Sequence, residues 1–445
     1  MKNIVLFHLE SLNNVIFNMN QECFPNLRNF IKDATYYPNY YSTATSTYMV
    51  ITDLFFGDTF QFEQSDYLED IFSVKVKKES IFNFLNRHGY TTKCYFLGNQ
   101  KEDIVKKRAS VFCSAVQCWS SANDKKSMLV DAEDIFYDKE SKFAVFFEDV
   151  ESHWMNLKMH SNTSGLKSSH DLFKYKYRML DETFGMVVNS LKKSGCYEDT
   201  IIIAYGDHGD EFWGHGLHDG YTHAIEPFPF MVNCPLIVGN TDVEVKGSVI
   251  STIDIYGIIM SALSGDVCEI NREFVFSRNL FSRQRNSRHS FNKSYMVTDG
   301  EYALMVSKQG LSMFWSQIDI YNGRNLLDFF ELSDSKIFYR EIYDNFKSSH
   351  YKQIMNKDAQ EEVKREFYIL LNQLRNLVSS TYGREIDDLN FDKINYSSDV
   401  CSLGWKFRLY SRRISKKIVL DIKRVFGLQS LKETKVGKIL YRLFV

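Results

Sequence analysis

Proline and long apolar runs are both scarce in this chain. Five prolines in 445 residues leave no Pro-rich linker, and the sequence carries no internal repeat or low-complexity segment. It contains no stretch of about 18 uncharged apolar residues, so the sequence predicts no transmembrane helix. The apolar start, residues 1–9, is interrupted by His8 and lacks a small-residue cleavage site, so it predicts a first strand and not a signal peptide.

The eight cysteines also lack the paired spacing of a zinc site. Cys113 and Cys118 are separated by four residues, whereas a zinc knuckle has a two-residue gap. Because no signal peptide is predicted, we interpret the cysteines as reduced thiols of a cytoplasmic protein.

Positive charge is concentrated at one end of the chain. Residues 405–445 hold twelve Lys or Arg and two acids, whereas the whole chain carries −2. The first 404 residues therefore carry about −12, which argues against a nucleic-acid partner. Within the tail, Ile414, Ile418 and Ile422 recur at helical spacing among the cations. This pattern predicts a helix on an anionic membrane surface, peripheral to the inner face; the alternative is a solvated helix packed on the acidic body.

Short apolar runs alternate with amphipathic helices along most of the chain. Strands are predicted at Asn3–Leu9, Lys142–Phe147 and Asp199–Ile203, and a long helix from about Asp171 to Lys193. This alternation predicts an α/β fold with a mainly parallel sheet sandwiched by helices, then a small C-terminal β subdomain and a helical C-terminal extension. We place the catalytic domain at residues 1–335, the helical extension at 336–404 and the basic amphipathic tail at 405–445.

Metal-ligand side chains follow two of these strands. Glu10 sits just past the first strand, and Gly206 connects the 199–203 run to Asp207 and His208. The carboxyl ends of parallel strands meet at one edge of the sheet, where open α/β folds bind ligands. Carboxylate and imidazole suit Zn²⁺ or Mn²⁺, so the sequence predicts one divalent ion there and leaves a second open. Asp210 and Glu211 are expected to be solvated, with support of a second ion as the alternative.

Thr47 is the candidate nucleophile. It follows a hydroxyl-rich loop and precedes a predicted helix that runs from Tyr48 to Phe56. A helix N-terminus favours anions, and a metal-bound hydroxyl loses its proton readily. The alternatives are that Thr47 only caps the helix, or that Thr45 or Ser46 is the nucleophile. Four histidines could also hold a phosphate oxygen or transfer protons: His153, His215, His218 and His223.

These blocks resemble the alkaline-phosphatase/sulfatase superfamily over residues 3 to about 330. The most specific match runs from Leu180 to Gly209 and includes Gly206-Asp207-His208-Gly209. The first strand, the segments 25–27 and 39–44, the helix-Gly-Tyr-strand step at 84–92 and residues 318–326 are similar to the same family. The resemblance implies an alkaline-phosphatase-like fold and a metal-dependent enzyme.

The nucleophile distinguishes branches of this family. Sulfatases use a Cys in a Cys-x-Pro-x-Arg motif and paired acids after the first strand, whereas here neither Pro nor Arg follows Thr47, and Leu9 precedes Glu10. A single Glu, a Thr nucleophile and Asp-His resemble the phosphoethanolamine and phosphoglycerol transferases. Thr45-Ser46-Thr47 is similar to their Thr-x-Thr segment. The resemblance implies that Glu10, Thr47 and the Asp207-His208 pair bind the metal.

The same resemblance assigns roles to the histidines. His153 and His223 are implied to be catalytic and to bind the substrate phosphate, with His218 as the alternative to His223. Those transferases carry an N-terminal membrane domain, whereas the family resemblance here begins at residue 3. A membrane role would therefore pass to the basic tail, or the acceptor is soluble.

The sequence thus predicts a phosphotransferase with a phospho-threonine intermediate. It would move a phosphoethanolamine- or phosphoglycerol-like group from a phospholipid or other phosphodiester donor to a glycan or glycolipid, as in surface-polysaccharide biosynthesis. One alternative is a phosphatase, phosphodiesterase or sulfatase that uses water at the same site. The other is a catalytically silent member that binds a glycan or a membrane.

Overall fold

The computed structural model describes residues 2–59, 78–98, 102–119, 124–150, 153, 169–210, 223, 225–280, 293–316, 357–382 and 389–392. The strands are β1 (Asn3–Leu9), β2 (Ala34–Tyr37), β3 (Tyr40–Tyr41), β4 (Tyr90–Leu97), β5 (Val116–Trp119), β6 (Lys142–Asp149), β7 (Thr200–Gly206), β8 (Leu236–Gly239), β9 (Val245–Lys246), β10 (Ile250–Ser251), β11 (Cys268–Glu269), β12 (Val275–Asn279), β13 (Ser294–Thr298), β14 (Tyr302–Ser307) and β15 (Gly310–Trp315). The helices are α1 (Asn14–Met19), α2 (Pro25–Phe30), α3 (Thr47–Phe56), α4 (Ile81–Arg87), α5 (Glu102–Ala109), α6 (Lys125–Tyr137), α7 (Ser169–Lys193), α8 (Pro229–Val232), α9 (Asp254–Ser264) and α10 (Lys357–Tyr382).

A seven-stranded sheet forms the centre, in the order β2-β8-β7-β1-β6-β4-β5. β1 lies between β6 and β7 and runs parallel to both, with Ile4 opposite Ala144 on one side and Ile201 on the other. β4 and β5 continue the parallel part, while β8 and β2 pair antiparallel at the other edge. The predicted mainly parallel sheet is therefore confirmed.

Both faces of the sheet are covered, which explains why β1 is apolar almost throughout. Side chains alternate between faces along a strand. Ile4 and Leu6 pack with residues of α3, α4 and α9, whereas Val5, Phe7 and Leu9 pack with α1, α2, α6 and α7. All five side chains are buried, as parallel strands sandwiched by helices require.

A second, antiparallel sheet joins β12, β13, β14 and β15 in sequence order. α10 packs against it through Phe367, Leu370 and Leu374, which share a core with Tyr295 and Leu304. These elements confirm the predicted small C-terminal β subdomain and show a helix after it. The boundary at residue 335 stays a prediction.

Two predicted segments fall outside the described residues: the family-like block at 318–326 and the basic tail at 405–445. Residues 102–137 contain α5, β5 and α6, for which the sequence analysis gave no prediction. Among the described helices, none combines the length and apolarity that crossing a bilayer requires.

Candidate active site

The register of the central strands brings two predicted metal ligands to one edge of the sheet. Leu9 of β1 lies opposite Gly206 of β7, so Glu10 and Asp207 leave the sheet side by side. Gly206 is required there, because a Cβ atom would lie 2.3 Å from the carbonyl oxygen of Leu12. Glu10 is 1% exposed, and Asp207 and His208 are fully buried.

Ser11 orients both carboxylates. Its N–H donates to Asp207 Oδ1 at 2.9 Å, and its hydroxyl donates to Glu10 Oε1 at 2.9 Å. Ser11 adopts a positive φ of 54°, which is uncommon for a residue other than glycine and is typical of functional sites. The remaining oxygens, Glu10 Oε2 and Asp207 Oδ2, are buried and accept no hydrogen bond from a described residue.

The backbone carbonyl of Gly209 orients the imidazole of His208. Its Nδ1 lies 3.0 Å from the carbonyl oxygen of Gly209, and a carbonyl only accepts, so Nδ1 carries the proton. Nε2 therefore presents a lone pair, 3.1 Å from Asp207 Oδ2. This is how metal-binding imidazoles are commonly held, with the second nitrogen donating to a carbonyl or carboxylate.

These atoms fit a divalent cation. One ligand atom from each of Glu10, Asp207 and His208 lies within 4.8 Å of the others. Burial and the neighbouring Asp207 raise the pKa of Glu10 to about 7, because two carboxylates are buried side by side. Burial lowers the pKa of His208 to about 4, which keeps its Nε2 free to coordinate. Two oxygens with no hydrogen bond and one oriented nitrogen match the donor set of Zn²⁺ or Mn²⁺.

His8 is a buried member of this cluster that the sequence analysis did not assign to the site. Its Nε2 lies 3.2 Å from Asp207 Oδ2 and 3.8 Å from Glu10 Oε2. Burial alone lowers the pKa of His8, but Asp207 and Glu10 outweigh it and raise the pKa to about 9. The signal was present, because His8 and Glu10 are two apart and a strand places such residues on the same side.

A second group of possible ligands, His8, Glu10 and Glu148, shares Glu10 with the first. Here, however, both oxygens of Glu148 accept from Arg108 Nη2, at 3.0 and 2.7 Å. A carboxylate already engaged by a buried guanidinium is a poorer ligand than one with an unpaired oxygen. The Glu10-Asp207-His208 group is therefore the better candidate.

Thr47 lies beside this group. It is the first residue of α3, and its Oγ1 is 3.1 Å from His208 Nε2. Thr47 is half-buried, whereas the rival Thr45 is fully buried and donates its hydroxyl to the carbonyl of Ile225 at 2.6 Å. Ser46 is the N-cap residue of α3. Among the three hydroxyls, that of Thr47 is the one aligned with a predicted metal ligand.

Two of the predicted histidines also meet. His153 Nε2 and His223 Nε2 are 3.2 Å apart, and the ring of His223 stacks on that of His208 with centroids 4.5 Å apart. Burial and the nearby His223 lower the pKa of His153 well below its usual value. For His223, burial opposes but the hydrogen bond to Asp210 prevails, and its pKa is raised. His215 and His218 lie outside the described residues.

The expectation that Asp210 is solvated is wrong. Its side chain is fully buried, with Oδ2 3.3 Å from Lys176 Nζ and Oδ1 3.0 Å from His223 Nδ1. The N–H of Gly209 donates to the carbonyl of Met231, which fixes the backbone just before Asp210. Glu211, expected to be solvated as well, lies outside the described residues.

Comparisons with known proteins agree with this fold. The family model described as Sulfatase matches residues 2–265, and the chain belongs to this family, within the alkaline-phosphatase-like superfamily. Its members are metal-dependent hydrolases and transferases, and this chain is an enzyme of that class. A search of curated protein sequences found no match.

Three solved structures illustrate the likeness. The lipoteichoic acid synthase LtaP from Listeria monocytogenes is 16% identical, over 73% of this chain and 86% of that one, with a TM-score of 0.50. An alkaline phosphatase superfamily protein from Vibrio parahaemolyticus is 17% identical, over 71% and 79%, with a TM-score of 0.52. BT4656, solved with its substrate D-glucosamine-2-N,6-O-disulfate, is 11% identical, over 86% and 98%, with a TM-score of 0.55. At these identities the likeness shows the fold.

Proposed function

We propose that this enzyme is a metal-dependent phosphotransferase with Thr47 as its nucleophile. The observation that carries the proposal is the 3.1 Å separation between Thr47 Oγ1 and His208 Nε2, at the edge where Glu10 and Asp207 converge. A divalent ion held by Glu10, Asp207 and His208 would supply the charge that lowers the pKa of the Thr47 hydroxyl. The branch that this residue set resembles is that of the phosphoethanolamine and phosphoglycerol transferases.

In the first step Thr47 Oγ1, having lost its proton to solvent, attacks the phosphorus of a phosphodiester. The phosphorus–Oγ1 bond forms as the bond to the leaving alcohol oxygen breaks, and that oxygen takes a proton from the His153–His223 pair. The product is phospho-Thr47 carrying the transferred group. The two histidines suit this work because their pKa values are pushed apart, which is typical of acid–base pairs.

In the second step a sugar hydroxyl attacks the phosphorus of phospho-Thr47. The new phosphorus–oxygen bond forms as the bond to Oγ1 breaks, and the sugar hydroxyl proton passes to the histidine pair and restores its protonation. Oγ1 leaves as an alkoxide and takes a proton back from solvent, which regenerates the Thr47 hydroxyl. α3 begins at Thr47, so the positive end of its helix dipole favours the phosphate charge at this position.

We propose a phospholipid or another phosphodiester as donor and a glycan or glycolipid as acceptor. The lipoteichoic acid synthase supports a polymer-modifying role, and BT4656 supports a sugar substrate. The basic tail at residues 405–445 would hold the enzyme on an anionic membrane, where such donors reside. His218 remains the alternative to His223 in binding the phosphate.

Intact mass spectrometry tests this proposal. The protein is incubated with Mn²⁺ or Zn²⁺ and with phosphatidylethanolamine or phosphatidylglycerol. A mass gain equal to the donated phospho-substituent is expected, it maps to Thr47, and it is absent in Thr47→Ala. Thr45→Ala is the matched control and keeps the adduct, because the Thr45 hydroxyl is bonded to Ile225. No adduct with any donor, or an adduct that persists in Thr47→Ala, contradicts the proposal.

A hydrolase that uses water at the same site is the second candidate, and the match to the Sulfatase model favours it. Release of the donated group with and without a sugar acceptor separates transfer from hydrolysis. A sulfate ester such as p-nitrocatechol sulfate tests the sulfatase alternative directly. We expect little turnover of the sulfate ester, because the chain has Thr47 where sulfatases have their modified cysteine.

A further inference from the structure

A chain of four side chains leads from the interior to the candidate active site. Lys176 Nζ lies 3.3 Å from Asp210 Oδ2, Asp210 Oδ1 lies 3.0 Å from His223 Nδ1, and His223 Nε2 lies 3.2 Å from His153 Nε2. Lys176 and Asp210 have no exposed side-chain area, while His223 is 19% exposed. Only the two outer members, the histidines, are thus within reach of a substrate.

The donor and acceptor chemistry fixes one proton of His223. An ionised carboxylate can only accept hydrogen bonds, so the Nδ1 that faces Asp210 must carry a proton. This holds whether the imidazole of His223 is neutral or charged. Nε2, which faces His153, is therefore the one nitrogen of His223 that can give up or take a proton.

Lys176 keeps Asp210 in its acceptor role. A carboxylate buried without a cation would become protonated and could then donate instead of accepting. Lys176 reaches Asp210 from α7, a helix that otherwise buries apolar residues such as Tyr177, Leu180 and Phe184 against the sheet. A lysine on the buried face of a helix is uncommon unless it is paired.

We propose that Asp210 and Lys176 are positioning residues, which hold His223 with its proton on Nδ1 and its Nε2 directed to His153 and the substrate. One part of the inference rests on the proposed function, namely that Nε2 of His223 exchanges protons with the substrate. The geometry is that of an Asp-oriented catalytic histidine, here with a buried lysine behind the aspartate.

The tautomer of His223 tests the inference without any substrate. In metal-free protein labelled with ¹⁵N-histidine, at a pH where His223 is neutral, we expect Nδ1 to be protonated and Nε2 not. The His223 signals are identified by their loss in His223→Gln. In Asp210→Asn the amide can donate to Nδ1, so the proton is expected to move to Nε2. A His223 that keeps its proton on Nδ1 in Asp210→Asn overturns the inference.

The kinetics of transfer from phosphatidylethanolamine or phosphatidylglycerol give the second measurement. Asp210→Asn is expected to lower kcat by about 100-fold or more while KM changes less than about threefold, since the group acts on proton transfer. Lys176→Met is also expected to lower kcat. Lys176→Arg, which keeps the positive charge, is expected to retain much of the wild-type kcat. The matched control is Lys125→Met, which removes a lysine 3.4 Å from another buried aspartate, Asp149. It is expected to keep kcat within about threefold.

Two results separate this inference from the proposed function. If the tautomer moves in Asp210→Asn but wild-type protein never forms a Thr47 adduct, the positioning stands and the phosphotransferase assignment fails. If the adduct forms and Asp210→Asn keeps both the Nδ1 proton and the wild-type kcat, the positioning role fails alone. Metal content and thermal unfolding of each variant show that a lost activity is not a lost fold.

Discussion

Arg278 of β12 and Asp53 of α3 form a buried bidentate ion pair, with nitrogen–oxygen distances of 2.7 and 3.0 Å. Arg278 also donates to the carbonyl of Thr43, through its guanidinium at 3.2 Å and its backbone N–H at 2.9 Å. Ser277, its neighbour, donates to the carbonyl of Ser42. The β12–β15 sheet therefore holds both the loop before Thr47 and the helix α3 that begins at Thr47.

Replacing Arg278 by methionine should destabilise the protein markedly. It leaves the carboxylate of Asp53 buried without its cation, a change that costs about 3–5 kcal/mol of unfolding free energy. Urea unfolding measures the loss. Arg87→Met is the control, because the Arg87–Glu79 pair is exposed and worth about 1 kcal/mol or less. A loss below about 1 kcal/mol for Arg278→Met contradicts the assigned role.

Adding one methyl group at Gly206 should disturb both packing and metal binding. A Cβ there meets the carbonyl oxygen of Leu12 at 2.3 Å and Cys234 at 2.9 Å, so the end of β7 must shift. We expect a loss of about 1–3 kcal/mol and weaker metal binding, since Asp207 follows directly. Gly257→Ala on α9 is the control, with nothing nearer than Cys268 at 4.0 Å, and should be neutral or stabilising. Equal losses of stability and of metal affinity in the two variants would contradict the role assigned to Gly206.

Metal affinity should distinguish the two groups of ligands. Asp207→Asn removes a charged ligand that belongs only to the Glu10-Asp207-His208 group, and it is expected to weaken Zn²⁺ or Mn²⁺ binding by about 100-fold or more. Glu148→Gln should weaken it less than about tenfold, because Glu148 is engaged by Arg108. Competition with a chromogenic chelator measures both. The reverse order would place the ion between His8, Glu10 and Glu148.

The metal-free protein should lose stability as the pH rises from about 6.5 to 9. The pKa of His8 is raised to about 9 in the folded state, so the folded protein keeps a proton that the unfolded chain releases near its ordinary 6.5. The stabilisation is complete below 6.5 and disappears through 9, and amounts to about 3 kcal/mol. Unfolding in EDTA across this range measures it, and His8→Gln should abolish the His8 part of the slope. A free energy of unfolding that stays constant or rises between pH 6.5 and 9 would contradict this prediction.

Vesicle sedimentation tests the predicted tail. Binding to anionic vesicles should exceed binding to zwitterionic ones and fall with added salt. Changing Arg412, Arg413, Lys416 and Lys417 to glutamine should weaken it by about 1 kcal/mol for each charge removed. Equal binding to both vesicle types would favour the alternative, a helix packed on the acidic body.

The residues of the candidate site that follow strands could be predicted from the sequence. Glu10, Asp207 and His208 each follow an apolar run, and parallel strands bring such positions to one edge of a sheet. Thr47 was predictable as the first residue of a helix that ends at Gly57, whose φ is 57°. These features are local in sequence, which is why they could be read without a structure.

The burial of Lys176 and Asp210 beside the candidate site could not be predicted from the sequence in the same way. Lys176 lies in an amphipathic helix, where a lysine ordinarily faces solvent, and its burial depends on an aspartate 34 residues away. Asp210 follows Gly209, whose N–H donates to the carbonyl of Met231, a residue 22 positions further along the chain. Both positions are decided by tertiary packing, for which the sequence carries no periodic signal.

Anomalous X-ray scattering from crystals grown with Mn²⁺ or Zn²⁺ tests the central claim most directly. The account predicts an ion bounded by Glu10, Asp207 and His208, with Thr47 Oγ1 as a further ligand. An ion that occupies another position at full stoichiometry, with Thr47 outside its coordination sphere, would contradict the account.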